Sequence, residues 1–162
     1  PRSVPALARA AERAPPDDGT WRSALAAALG DAGGANAVAP LTGLLDGASA
    51  PAAAFALGKT GAPAAVKPLV DWLARPGSLA DAEAIEALAQ LAARDAGPAI
   101  AAQLTADRAE VRAVAARAIG RLRHEPAAPR LEALRSDYHG RVRRAAVEAL
   151  SRLPAGAPRV RR

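Results

Sequence analysis

One short apolar word returns along the chain at a nearly fixed interval: Ala28-Leu29-Gly30, Ala56-Leu57-Gly58, Ala87-Leu88-Ala89, Ala118-Ile119-Gly120 and Ala149-Leu150-Ser151. Its central residues are 28, 31, 31 and 31 positions apart. A period of this length marks stacked supersecondary units, each too small to bury its own apolar stripe. The flanking residues fall on the same frame. Eight positions before the central residue stand Trp21, Val111 and Val142, each followed by arginine (Arg22, Arg112 and Arg143). Twelve positions after it stand Leu41, Leu69, Ile100 and Leu131. Leu44, Trp72 and Leu134 follow at fifteen, and Leu45, Leu73 and Leu104 at sixteen, with Gln103 and Arg135 breaking the two series.

Within a unit the spacing is helical. Val111, Val114, Ala115, Ala118, Ile119 and Leu122 recur in steps of three and four, which puts them on one helix face. Gly30, Gly58 and Gly120 are expected to end their helices, where a left-handed residue costs little. Pro40, Pro68 and Pro98 then fit the first turn of a second helix, where a missing N–H matters least. Asp107 and Asp137 suit the N-terminal end of the next first helix. The predicted helices are 4–13, 19–30, 36–46, 49–58, 64–75, 80–93, 97–105, 109–122, 127–136 and 141–152. The fold class expected is all-α, an α-solenoid of about five helical-hairpin units, right-handed or gently curved. It would span residues 1–153, with 154–162 as a basic C-terminal tail.

Composition agrees. Hydrophobic residues make up 51% of the chain, yet only four are aromatic, so alanine carries most of the apolar content. Alanine favours helix and buries little area per residue, so such a core needs many closely approached helices. Trp21, Phe55, Trp72 and Tyr138, at helical spacing, are expected in the core or in a groove wall. The absence of cysteine excludes disulfides, zinc–thiolate sites and cysteine nucleophiles. No uninterrupted apolar run is long enough to span a membrane. Charges at Arg9, Glu12, Arg13, Asp17 and Asp18 do not fit a signal peptide. A start at Pro1 without any methionine fits either removal of an initiator before proline or excision from a longer product. The compartment is left open.

Charge is uneven. Residues 108–162 carry a net +9 and residues 1–107 a net −3. The asymmetry points to an acidic partner for the C-terminal part, although arginine-clad helix faces also arise simply in chains rich in Ala, Arg and Pro.

The segments ALGDAGGANAVAPLTGLL, ALGKTGAPAAVKPLVDWL and GRVRRAAVEALSRL resemble the bacterial HEAT-like repeats first grouped with phycobilin lyases. The resemblance covers roughly residues 19–153 and rests on the Val-Arg, Ala-Leu-Gly and Pro-Leu landmarks. The third unit departs from it, with Ala80-Asp81 in place of Val-Arg and Ala89 in place of glycine. The resemblance implies that Arg22, Arg112 and Arg143 form a structural ladder pairing with acids of neighbouring loops. It also implies that second helices line the concave surface, and there Lys67, Asp71, Arg75, Gln103, Arg130 and Arg135 are the candidate binding residues. Such arrays serve many roles, so fold alone does not assign function.

Enzymatic readings find little support in the residues. His124-Glu125 is a single His-Glu pair, whereas a similar hydroxylase family holds iron through several. His139 sits in the turn Tyr138-His139-Gly140. Asp81, Glu83 and Glu86 lie on the first turns of a helix, where acids stabilise its dipole. Gly30, Gly33 and Gly34 match no phosphate-cradling spacing. A phycobilin-lyase-like activity would need a chromophore groove that four aromatics hardly furnish. No catalytic residue, metal or cofactor is expected.

Nucleic-acid binding is the main rival. Arg117, Arg121, Arg123, Arg130, Arg135, Arg141, Arg144 and Arg152 could meet phosphates. Arg117, Arg121, Arg144 and Arg152, however, are expected on the convex outer side, and the second helices offer a mixed groove without an aromatic stacking series. The function expected is a non-enzymatic interaction or scaffolding solenoid, holding a partner protein or another domain of a longer parent chain, with an acidic partner favoured.

Overall fold

The computed structural model describes residues 3–15, 18–75 and 81–154. These form ten α-helices and no strand: α1 Val4–Arg13, α2 Gly19–Ala32, α3 Val38–Gly43, α4 Ala50–Lys59, α5 Val66–Leu73, α6 Asp81–Gln90, α7 Gly97–Ala102, α8 Ala109–Leu122, α9 Ala128–Leu134 and α10 Gly140–Arg152. The fold class is an α-solenoid of helical hairpins, as the periodicity requires. The predicted tail falls, apart from Pro154, outside the described residues.

Long first helices alternate with second helices of only six to eight residues. Each second helix is shorter than its pattern predicts because proline ends it early on the N-terminal side. Pro40, Pro68, Pro98 and Pro129 lack the N–H that would reach back four residues, to Asn36, Ala64, Arg94 and Glu125. At those four places the chain takes a tighter 3₁₀ turn, at 35–37, 63–65, 94–96 and 125–127.

The chain divides into two compact units, Pro1–Leu91 and Ala92–Arg162. In the first, α2 packs on α4 and α4 on α6, while α1 covers α2 and α3 and α5 lies on α6. In the second, α8 packs on α10, α7 on α8 and α9 on α10. The repeat word supplies the seams: Leu29, Leu57, Leu88 and Ile119 are fully buried. Leu150, the last of the series, is only half-buried.

The glycines of that word do not end their helices. Gly30, Gly58 and Gly120 lie inside α2, α4 and α8 and are buried. A β-carbon on Gly30 would stand 2.8 Å from the Ala56 Cβ, and one on Gly58 2.9 Å from the Ala87 Cα. Their role is close helix–helix approach. The positive φ comes three residues later, at Gly33, Gly61, Ala92 and Arg123, and only two of these are glycine.

Two further expectations are corrected. Asp107 and Asp137 precede α8 and α10 but are not the N-caps; those positions belong to Arg108 and His139, neither of which makes a side-chain cap, while Asp137 accepts from the His139 N–H at 2.8 Å. Asp18 does cap, accepting a 2.8 Å hydrogen bond from the Trp21 N–H. Of the four aromatics only Trp72 is buried; Trp21, Phe55 and Tyr138 are exposed. The buried stripe of α2 is completed by Arg22, Leu25, Ala26, Leu29 and Gly30, which leaves Trp21 off its edge.

Candidate interaction surface

Three arginines at one frame position, Arg22 on α2, Arg112 on α8 and Arg143 on α10, are built into the loops. Arg22 is buried on α2 and donates to Ser49 Oγ at 3.3 Å, the Gly43 carbonyl at 3.2 Å and Asp46 Oδ1 at 2.5 Å. Ser49 is itself buried and donates to the Leu44 carbonyl at 2.8 Å. Arg112 on α8 uses Nη1 on the carbonyls of Ala106 and Asp107, both at 2.8 Å. Its Nε and Nη2 then close on Asp137 at 2.9 and 3.2 Å. The paired hydrogen bonds of Arg112 hold the Asp137 carboxyl below the usual carboxylate range; its partial burial works the other way, and the His139 N–H adds to the lowering.

Arg143 on α10 repeats half of this arrangement. Its Nη1 donates to the carbonyls of Asp137 and Tyr138 at 2.9 and 3.0 Å, the counterparts of Ala106 and Asp107. Among the described residues no carboxylate meets its remaining N–H groups. Arg143 borders a surface cavity of about 480 Å³ lined by Arg135, Arg143, Arg144, Val147, Glu148 and Ser151.

The second helices place the predicted binding residues as follows. On α5, Lys67 and Asp71 are exposed and paired with each other at 2.7 Å, one helical turn apart. Arg75 follows the helix and stands 5.3 Å from the Trp72 ring centre, a cation–π distance. Trp72 is buried, and its indole N–H finds no hydrogen-bond partner among the described residues. Gln103 follows α7 in a 3₁₀ turn and is half-buried. Arg130 on α9 is exposed and donates to the Ala101 carbonyl at 3.1 Å, so it also ties α9 to the end of α7. Arg135, just past α9, pairs with Glu132 at 2.5 Å. Lys67, Asp71 and Arg75 thus belong to the first unit, and Gln103, Arg130 and Arg135 to the second.

The histidines take structural positions. The His124 ring lies over Gly97, where a β-carbon would come within 2.3 Å of its Nδ1. His139 is exposed, 3.6 Å from Asp137 Oδ1 and edge-on to Tyr138. Among the described residues no group of three His, Asp or Glu stands close enough to hold a metal ion, and no helix is long and apolar enough to cross a membrane. Asp81 and Glu83 occupy the first turn of α6.

Sequence reasoning missed the acidic ends of the arginine pairs. Asp46 and Asp137 lie 24 and 25 residues beyond their arginines. Only that near-constant offset could have singled them out. The cross-helix pair of Lys59 with Asp31, on α4 and α2, was missed as well.

Residues 97–161 match the family profile of HEAT repeats, and residues 52–73 match that of the PBS lyase HEAT-like repeat. No curated protein matches the chain in sequence. Among solved structures, the chain is similar to one in the complex of CpcE and CpcF of phycocyanin lyase from Nostoc sp. PCC7120, at 26% identity and TM-score 0.75. That match covers 94% of this chain and 66% of the lyase chain. A computationally designed armadillo repeat protein for modular peptide recognition is similar at 21% identity and TM-score 0.66, over 93% of this chain and 82% of the other. An engineered protein is similar at 22% identity and TM-score 0.66, over 90% and 78%.

Proposed function

We propose, from the premise that this chain belongs to the HEAT-like repeat family, that it is a non-enzymatic scaffold binding another protein or another domain of a longer parent chain. The repeat fold fits a protein-interaction scaffold. The observation that carries the reading is the dressing of the second helices. Leu69 and Leu131 anchor α5 and α9 in the core, while Lys67, Asp71, Arg75, Arg130 and Arg135 are turned outward. Most of their charges are met within or next to the same helix, by Asp71, the Trp72 ring and Glu132, and that of Arg130 by the Ala101 carbonyl of α7. Such groups suit reversible polar contacts around an apolar anchor. Catalysis would need several titratable groups converging on one point. The similar lyase and the designed peptide-recognition protein show two uses of this architecture, and the fold does not choose between them.

The test is selection of binders from a displayed peptide library on the full chain. Lys67→Glu, Arg75→Glu and Arg130→Glu then locate each binder. Binders that any of these substitutions weakens support the reading. Absence of binders overturns it, and so does stoichiometric metal in the purified protein. Micromolar, steeply salt-dependent retention of generic duplex DNA would promote the nucleic-acid alternative instead.

A further inference from the structure

The outward side of α8 carries two arginines of like charge. Arg117 and Arg121 stand two positions before and two after Ile119, one helical turn apart, and both are exposed. Among the described residues no acidic side chain pairs with either. The same positions are balanced elsewhere: Glu148 and Arg152 of α10 pair with each other at 2.7 Å, and Lys59 of α4 pairs with Asp31 of α2. Like charges one turn apart repel, so α8 bears a small cost that an anion would remove. The helix dipole favours Arg121, which lies in the last turn, but its influence does not extend to Arg117. This side of the helix is not a seam between repeats. The positions two before and two after the central residue of the repeat word are exposed in all five repeats, including α4, on which both α2 and α6 pack.

The pattern of charge sets the partner chemistry. Two guanidinium groups about 6 Å apart along a helix axis match two carboxylates at the same spacing on a second helix. Arginine also meets a carboxylate through two parallel N–H groups, which makes the contact directional. A uniformly anionic polymer fits this side less well. Glu110 lies on the same stripe of α8, seven residues before Arg117, and Glu148 takes the place of Arg117 on the packed helix α10. Both acids are exposed and would face the phosphates of a nucleic acid. A protein segment can leave the positions opposite them neutral.

We propose that the outward face of α8 is a docking surface for an acidic helical segment of a partner protein, with Arg117 and Arg121 each meeting a carboxylate. The proposal rests on the scaffold reading above and adds to it a place and a partner chemistry.

The test uses the full chain and the same peptide selection, with peptides long enough to form a helix. Each enriched peptide is synthesised and titrated against wild type, the double variant Arg117→Glu/Arg121→Glu, and Lys67→Glu. The expected result is enrichment of peptides with acids three or four residues apart. Their Kd should weaken at least about tenfold in the double variant and with rising salt, and stay unchanged in Lys67→Glu. Since a surface reversal can also disturb a helix, each peptide is remade with lysine in place of its acids, and this form should regain binding to the double variant. Binders that ignore the arginine reversal overturn the docking surface while leaving the scaffold reading standing. Weakened binding that the lysine peptides do not restore overturns it as well, because the loss is then structural. No binders at all would remove both readings. Retention of duplex DNA that the reversal abolishes would assign the face to nucleic acid and overturn the proposal.

Discussion

Gly120 of α8 lies so close under α10 that a β-carbon there would stand 2.7 Å from the Ala149 Cα and 3.4 Å from its carbonyl oxygen. The obstruction is backbone, so it cannot swing aside as a side chain would. Alanine is better than glycine inside a helix by about 1 kcal/mol. Here the gain is outweighed, because the two helices must separate and lose the contacts of their small-residue seam. Gly120→Ala is expected to destabilise the protein by about 1–3 kcal/mol, the usual range for overpacking. Gly43→Ala is the control: it sits at the end of α3 with nothing within 4 Å, and should gain up to about 1 kcal/mol. Urea midpoints of the two variants should move in opposite directions.

The left-handed residues make a second prediction. Ala92 and Arg123 have φ of +52° and +53°, at the position where α4 is followed by Gly61. A side chain there crowds the following carbonyl, at a cost of roughly 1–2 kcal/mol, part of which glycine returns through its greater freedom when unfolded. Ala92→Gly and Arg123→Gly should each raise stability by about 0.5–1 kcal/mol, read as a higher thermal midpoint. A lowered midpoint in both would contradict the backbone argument.

Much of the fold was legible because the core word is periodic: the burial of Leu29, Leu57, Leu88 and Ile119 follows from spacing alone. Its glycine was the ambiguous letter. Periodicity cannot distinguish a glycine that ends a helix from one that lets a neighbour approach, and the contacts with Ala56, Ala87 and Ala149 are long-range facts. Trp21 was similarly misleading, since it shares the frame position of Val111 and Val142 yet stands 47% exposed. The outward residues of α5 and α9 could be placed on a helix, but their partners, such as Arg130 with the Ala101 carbonyl, depend on packing between hairpins. Function was least legible, because charged side chains on a repeat surface carry no spacing that names a ligand.

Arg22 and Asp46 form an unequal pair. The Arg22 side chain is 10% exposed and the Asp46 side chain 66%. Arg22 also keeps Ser49 and the Gly43 carbonyl, so removing Asp46 leaves it with hydrogen-bond partners. Asp46→Ala should therefore cost under about 1 kcal/mol, as for a solvent-facing ion pair. Arg22→Ala removes a buried stem and three hydrogen bonds, and should cost about 2–4 kcal/mol. Chemical denaturation of the two variants checks the asymmetry. Equal losses would mean that the ion pair itself, not the burial of the arginine, holds the loop.

Asp137 should make stability depend on pH at the acid end. Its two bonds from Arg112 and one from the His139 N–H, at 2.9, 3.2 and 2.8 Å, favour the ionised form, and its folded-state pKa is lowered despite partial burial. Between the lowered value and the ordinary carboxylate range the unfolded chain therefore binds more protons than the folded one, and stability rises with pH. The contribution is fully present above the ordinary range and fades as pH falls through it toward the folded value. Asp137→Asn keeps the shape and removes the charge, so the stability difference between wild type and this variant should be flat near neutrality and shrink on acidification. Denaturation of both proteins across the acid range measures that difference. A gap that stays constant to the lowest pH would mean that the Arg112–Asp137 pair contributes shape rather than charge.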